Sequence, residues 1–426
     1  MKIKTRFKES LQGDISIPGD KSISHRSLIL GSLARGKSKI DGFLESEDCL
    51  NTLQAFRQMG IDIEKNRGSY LINGRGLDGL KEPKNIIDCG NSGTAMRILT
   101  GLLSAQPFYS VLTGDDSLRC RPMGRIIKPL QKMGAQIWSR NDNLAPISIK
   151  GQQLKPISYQ LPVASAQVKS SLLMAGLYVD GKLKITEPGY SRDHTERMLK
   201  YCGVPLQIED KSIILSGTNY QLNPLEIEIP GDISSAAFFI AAALITKNSN
   251  LILRNIGVNP TRDGFLDIVE KMGGKIEILN KRESAGEPLA DIRVTSSKLQ
   301  GIDIRGDIIP RLIDEIPIIA ILAACAEGRT VIRDAEELRV KETDRIEAIV
   351  NELSRLGVKI AEYEDGMIIE GPASFKGGQT LRSYGDHRIA MSLTVAGLIA
   401  EQPFLIKNCD CINTSFPGFL KKLLSL

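Results

Sequence analysis

The apolar positions of this chain come in blocks. A small polar or acidic residue opens a run rich in Ala, Leu and Ile. The run gives way to a polar turn and a short strand-like segment. The openings fall at Asp20, Asn91, Ser165, Asp232, Asp314 and Asp386. Their mean spacing is roughly 73 residues, beyond the about 20–50 residues of a solenoid repeat, so each block is a small folding unit. Asp, Asn and Ser accept hydrogen bonds from the free N–H groups at a helix start, and a helix is predicted after each.

A second helix follows in each unit and ends in Gly: 49–60, 126–134, 195–203, 265–273 and 346–357. Apolar residues keep helical spacing there, as at Ile346, Ile349, Val350, Leu353 and Leu356. Gly just past the last turn is the expected terminator, because it takes the left-handed conformation cheaply. Strands are predicted directly after (61–63, 135–137, 358–360) and again at 70–72, 212–215, 291–294 and 367–369. The unit reads β-α-β-α-β-β. The sixth unit keeps only 419–424 of its second helix, and the unassigned strand at 10–17 is expected to complete it. That implies a discontinuous domain, 1–18 plus 231–426, and an inserted domain, 19–230. The chain would cross at Pro18-Gly19 and Pro230-Gly231, with hinges near 18–20 and 230–232.

A length of 426 residues accommodates this, since single cores stop growing near about 250–300 residues. The apolar fraction is 42 %, and no run reaches the roughly 18 residues that span a bilayer. Residues 1–10 alternate charged and apolar positions and lack the apolar centre of a signal peptide, so a cytoplasmic location without membrane partners is expected. The net charge of +5 is dispersed, which argues against nucleic acid and suits a small anionic substrate. The seven cysteines show no framework spacing and are expected to be reduced thiols. Cys409 and Cys411 would need two more ligands nearby to hold zinc, so neither metal nor cofactor is expected.

The candidate chemistry sits at the helix starts, where anions are most easily held. Residues 19–27 lack the first Gly of a Walker loop, which disfavours nucleotide hydrolysis. What remains is an oxyanion cradle of Lys21, Ser22 and Arg26. Gly90 and Gly93 flank Asn91 and Ser92 and would let a ligand approach the backbone. Arg119, Arg121 and Arg125 precede a helix, and 165–171 and 191–196 are further polar helix entries. Asp314-Glu315 opens an apolar stretch. Such a carboxylate is a cap by default and is also placed for general-base work. Lys341 and Arg345 are four apart, on one face if a helix has begun, and two cations there repel unless an anion lies between them. All three histidines, His25, His194 and His387, fall in these clusters.

The strings PGDKSISHR (18–26), GNSGTAMR (90–97), CRPMGR (120–125), SAQVKS (165–170), SRDHTER (191–197), RVKETDR (339–345) and GDHRIAM (385–391) resemble those of the 5-enolpyruvylshikimate-3-phosphate synthases, over about residues 10–420. The resemblance implies a two-domain inside-out α/β barrel, each domain built of three β-α-β-α-β-β units. It implies transfer of the enolpyruvyl group of phosphoenolpyruvate to the 5-hydroxyl of shikimate 3-phosphate. Phosphate would leave by addition–elimination, with no cofactor, in a monomer whose cleft closes by domain motion. It assigns shikimate 3-phosphate to Lys21, Ser22, Arg26, Ser165, Ala166, Gln167, Ser191, Arg192, Asp314 and Lys341. Phosphoenolpyruvate falls to Lys21, Asn91, Gly93, Arg121, Gln167, Arg345 and Arg388. Asp314 would be the base, with Lys341 and Lys21 close by, Glu342 the proton donor to the methylene carbon, and His387 an assistant.

Two departures stand out. A Lys carried near the C-terminus by part of the family is absent from 413–417. The strings SAQVK, RDHTE and NPTR (259–262) resemble members that tolerate the inhibitor glyphosate, whereas Gly93 is a position where tolerant members often carry Ala. Two other readings stay open. One is the UDP-N-acetylglucosamine enolpyruvyl transferase, which uses a loop Cys; Cys120 lies in the corresponding 117–123, but the strings around Lys21 and Lys341 favour the shikimate type. The other is a non-catalytic anion-binding protein, against which Lys21, Asp314, Glu342 and Arg388 are all retained.

Overall fold

The computed structural model describes residues 1–217 and 220–426. Six helices are buried almost all round, as their continuous small apolar sequences require. They are Lys21–Leu33, Gly93–Ser104, Ala166–Gly176, Ile233–Ile245, Ile316–Cys325 and His387–Ala396. Four start as expected. The Asp20 carboxylate accepts from the Ile23 N–H at 2.9 Å, and the Ser165 hydroxyl from Val168 at 3.5 Å. Asp232 accepts from Ser234 at 2.8 Å and Asp386 from Arg388 at 2.7 Å. Two differ. Ser92, not Asn91, caps the second helix by accepting from Ala95 at 3.1 Å, because the Asn91 side chain is engaged with Asp115 and Arg121. Glu315 precedes the fifth, and Asp314 lies in the 3₁₀ turn Ile313–Glu315. Pro317 near that helix start has no N–H, so fewer donors there need a cap.

The second helices are amphipathic: Glu47–Gln58, Gly124–Lys132, His194–Tyr201, Gly264–Lys271 and Arg345–Arg355. Each is followed by its glycine, Gly60, Gly134, Gly203, Gly273 and Gly357, at φ of 83°, 96°, 89°, 82° and 92°. This left-handed turn is what a β-carbon would oppose.

Among the described residues the strands form six small sheets, five of four strands and one of three. In the second unit, Ile87–Asp88 runs parallel to Tyr109–Thr113 across the buried helix. Leu144–Lys150 then pairs antiparallel with both Tyr109–Thr113 and Gln136–Arg140. The other four-stranded sheets repeat this order.

The chain divides into two compact units, Met1–Pro18 with Pro230–Arg282 and Pro288–Leu426, and Gly19–Ile229 with Glu283–Glu287. The N-terminal strand does not complete the sixth sheet as the sequence suggests. Gln12–Ser16 pairs parallel with Asn250–Gly257, in the fourth sheet. Arg254 spans that pairing, bonding Asp14 at 2.8 Å on one side and Asp291 at 2.7 Å on the other. The sixth sheet is closed instead by Ile3–Lys4, antiparallel to Leu405–Lys407. Correspondingly Glu226–Glu228, which precedes the fourth buried helix, pairs with Arg35–Asp41 in the first sheet.

In the first unit the buried helices Ile233–Ile245, Ile316–Cys325 and His387–Ala396 pack on one another. Phe238 and Phe239 meet Phe416 and Phe419 there, with centroids 5.5–6.0 Å apart. In the second unit Gly93–Ser104 lies so close to Ala166–Gly176 that a β-carbon on Gly101 would sit 2.0 Å from the Ser171 carbonyl oxygen.

His25 is fully buried in the second unit, its Nδ1 2.8 Å from the Thr52 hydroxyl and its Nε2 3.3 Å from that of Ser92. Burial pushes its pKa down to about 3, so the ring stays neutral in the folded chain. Below about pH 6.5 the unfolded chain takes up a proton that the folded chain refuses, and stability falls as pH drops toward 3, by up to about 1.4 kcal/mol per pH unit. Urea titrations from pH 7 to pH 4 should show a shallower loss for His25→Gln than for the parent.

Candidate active site

The second unit gathers the first group of candidates at its helix starts. Lys21 opens the first buried helix, and its ammonium pairs with Asp48 at 3.0 Å. One turn on, Arg26 is buried, and its three hydrogen bonds go to neutral oxygens. They are the Thr195 hydroxyl at 2.7 Å, the Ser170 hydroxyl at 2.8 Å and the Ser22 carbonyl at 2.9 Å. Burial lowers its pKa to about 10. A buried cation held only by dipoles retains capacity for an anion.

Arg121 donates to the Asn91 side-chain oxygen at 2.9 Å, and Asn91 donates to Asp115 at 2.8 Å. Gln167 accepts from Arg97 at 2.5 Å and donates to the Thr94 hydroxyl at 2.9 Å, linking the helix that starts at Gly93 to the one that starts at Ala166. A β-carbon on Gly93 would lie 2.9 Å from Arg97 Nη1 and 3.6 Å from Arg121 Nη1. Ser191 donates its hydroxyl to Glu187, and Arg192 follows in the same loop before helix His194–Tyr201. Cys120 is exposed at the end of the short helix Asp116–Arg119.

The first unit gathers the rest around Arg345, the first residue of its helix and almost wholly buried. Its guanidinium donates to Asp386 at 2.7 Å, Glu342 at 2.5 Å and Asp314 at 3.3 Å. Burial works against its charge, but these three carboxylates outweigh it and hold the pKa above the usual arginine value. The helix has not begun at Lys341, so Lys341 and Arg345 do not share a helix face as the spacing alone allows. They converge instead on one oxygen: Lys341 Nζ is 3.9 Å from Asp314 Oδ1. The anion that the two cations require is therefore Asp314. Arg388 donates to the Asp314 carbonyl at 3.1 Å and lies 3.7 Å from Glu315, which also accepts from the Ser234 hydroxyl. Arg339 ties the segment down through Asp344 at 2.7 Å and the Tyr363 and Glu364 carbonyls, each at 2.7 Å. His387 is buried at the start of its helix beside Asp386 and Arg388.

The strings contain Arg97, Ser170 and Thr195 without singling them out: Arg97 bridges to Gln167, and Thr195 and Ser170 hold Arg26. Asp48, which pairs with Lys21, lies outside every string. Among the described residues no group of three or more His, Cys, Asp or Glu is arranged to hold a metal, and no helix is long and apolar enough to cross a membrane.

A family model described as EPSP synthase (3-phosphoshikimate 1-carboxyvinyltransferase) matches residues 6–423. A 3-phosphoshikimate 1-carboxyvinyltransferase of Geotalea uraniireducens is 53 % identical over 416 residues, 97 % of this chain and 96 % of that protein. One from Geobacter sulfurreducens is 54 % identical over 411 residues, 96 % of this chain and 95 % of that protein. An EPSP synthase structure from Acinetobacter baumannii superposes with a TM-score of 0.91 at 46 % identity, covering 100 % of this chain and 98 % of the other. The enolpyruvyl transferase NikO of Streptomyces tendae shares the fold, with a TM-score of 0.80 at 15 % identity over 99 % of this chain and 96 % of its own. With its sheets, its helix-start cations and the Asp314 cluster in place, the chain belongs to the EPSP synthase family.

Proposed function

We propose that this enzyme transfers the enolpyruvyl group of phosphoenolpyruvate to the 5-hydroxyl of shikimate 3-phosphate, releasing phosphate, as a cofactor-free cytoplasmic monomer in aromatic amino acid biosynthesis. The observation that carries the reading is Asp314, a carboxylate flanked by Lys341 and Arg345 and held at its own carbonyl by Arg388. In the forward direction the 5-hydroxyl oxygen attacks C2 of phosphoenolpyruvate while C3 takes a proton. The tetrahedral adduct then loses phosphate and a C3 proton, leaving the enol ether. Asp314 takes the hydroxyl proton, and Lys341 steadies the charge. Glu342, oriented by its bond to Arg345, delivers the proton to C3, and His387 assists.

Shikimate 3-phosphate is assigned to Lys21, Ser22, Arg26, Ser165, Ala166, Gln167, Ser191, Arg192, Asp314 and Lys341. Arg26 supplies charge that is not already neutralised by a bonded carboxylate. Phosphoenolpyruvate is assigned to Lys21, Asn91, Gly93, Arg121, Gln167, Arg345 and Arg388. Arg345 meets it with three donors already on carboxylates, so its larger contribution is to aim Asp314 and Glu342.

Phosphate release should require shikimate 3-phosphate together with phosphoenolpyruvate. Release with UDP-N-acetylglucosamine in its place would select the related transferase instead, and binding of both shikimate 3-phosphate and phosphoenolpyruvate without turnover would select a non-catalytic protein. Asp314→Ala should lower kcat by about 10²–10⁴-fold, the usual worth of a general base, and weaken shikimate 3-phosphate binding measured by calorimetry by a much smaller factor, about tenfold or less. Turnover close to the parent's would remove Asp314 from the proton transfer. Intermediate or high tolerance of glyphosate is proposed, on the strings around Gln167, His194 and Pro260 and against the ordinary Gly93. A dose–response curve with half-inhibition in the low micromolar range would contradict this.

A further inference from the structure

One buried ion cluster in the second unit is not used by the proposed chemistry. Lys169 is almost completely buried, on the helix that Ser165 caps. Its ammonium is 2.6 Å from Glu187 Oε2, 2.7 Å from Glu196 Oε1 and 3.4 Å from the Ser191 carbonyl oxygen. The other Glu187 oxygen, Oε1, accepts the Ser191 hydroxyl. Two neighbouring residues in the chain, Ser170 and Thr195, hold Arg26. Burial opposes the charge on Lys169, but Glu196 and Glu187 outweigh it and keep the ammonium protonated.

A buried ion triad is weak evidence for a role in stability, since apolar residues of similar volume often do as well or better. Its placement has a different consequence. Glu187 stands one hydroxyl away from the position where Ser191 would meet a phosphate, and a bare carboxylate there would repel a phosphate dianion. Ser191 has a single proton, so donating to phosphate requires it to leave Glu187. That exposes the carboxylate unless something else neutralises it.

We propose that Lys169 is a positioning residue for the phosphate of shikimate 3-phosphate, offsetting the charge of Glu187 with an ammonium it shares with Glu196, so that Ser191 can turn from the carboxylate to the substrate. The inference rests on the assignment of that phosphate to Ser191 and Arg26. Lys169 itself touches no substrate. Its effect is specific to the phosphorylated substrate, because shikimate lacking the phosphate brings no dianion to Ser191.

Calorimetric titration of the full chain with shikimate 3-phosphate and with shikimate tests it. Lys169→Met should weaken shikimate 3-phosphate binding about tenfold or more, the scale of one uncompensated charge at a few ångströms in a partly buried site, and shikimate binding by less than about threefold. Adding Glu187→Gln to Lys169→Met should return the affinity to within about threefold of the parent, a coupling that a double-mutant cycle reads directly. Unchanged phosphate preference in Lys169→Met, or a double variant no better than the single one, overturns the inference. If Lys169→Met does not fold, Glu187→Gln alone decides. Affinity for shikimate 3-phosphate equal to or tighter than the parent's supports charge neutralisation, and a loss beyond threefold shows that Glu187 is a structural brace instead. A parent that binds shikimate 3-phosphate while the variants depart from these results overturns this inference alone. A parent that fails to bind it overturns the proposed function as well.

Discussion

A side-chain oxygen that accepts from a backbone N–H two or three residues ahead opens five of the six buried helices, from Asp20, Ser92, Ser165, Asp232 and Asp386. The rest of the structure depends on this bond. A helix buried on every face cannot leave its first donors to water, so the cap fixes where the helix begins. The residues after the cap then inherit a fixed direction and the positive end of the helix dipole. Lys21, Gly93, Ala166 and His387 all occupy that first helical position. The fifth start breaks the rule. There a 3₁₀ turn and Pro317 open the helix, and the Asp314 carboxylate in that turn meets Lys341 and Arg345.

Two buried arginines show how differently the same side chain is used. Arg345 is ringed by Asp314, Glu342 and Asp386, so its charge is met within the protein and the carboxylates are what it orients. Arg26 is bonded to two hydroxyls and a carbonyl, which hold its geometry without cancelling its charge. The first arrangement suits placing acids and bases, and the second suits receiving an anion. Lys169 belongs with the first kind, buried between two carboxylates.

Much of the fold is legible because it is local. The terminator glycines stand at the ends of the amphipathic helices with φ between 82° and 96°, as a left-handed exit demands. The short helix Phe419–Leu424 coincides with the segment marked by its apolar residues. Where neighbours compete, the local reading slips by a residue. Asn91 has the chemistry of a cap but is drawn to Asp115 and Arg121, and Ser92 takes its place. The polar strings likewise mark the functional regions but not their internal partners. Asp48 and Glu187 lie outside every string, and only folding brings them to Lys21 and Lys169.

By itself the sequence determined the six-fold recurrence, the helix starts to within a residue, the glycine stops, and the cationic character of the helix entries. All of these follow from side-chain chemistry within a few residues. Only the tertiary structure decided which edge each strand completes. Gln12–Ser16 lies in the fourth sheet and Glu226–Glu228 in the first, because strand pairing is a contest among distant edges. The pairing brings together residues such as Arg254 and Asp14, which are 240 residues apart. The tertiary structure also decided that Lys341 and Arg345 meet across Asp314 instead of along a helix face, since the backbone between them is not helical until Arg345.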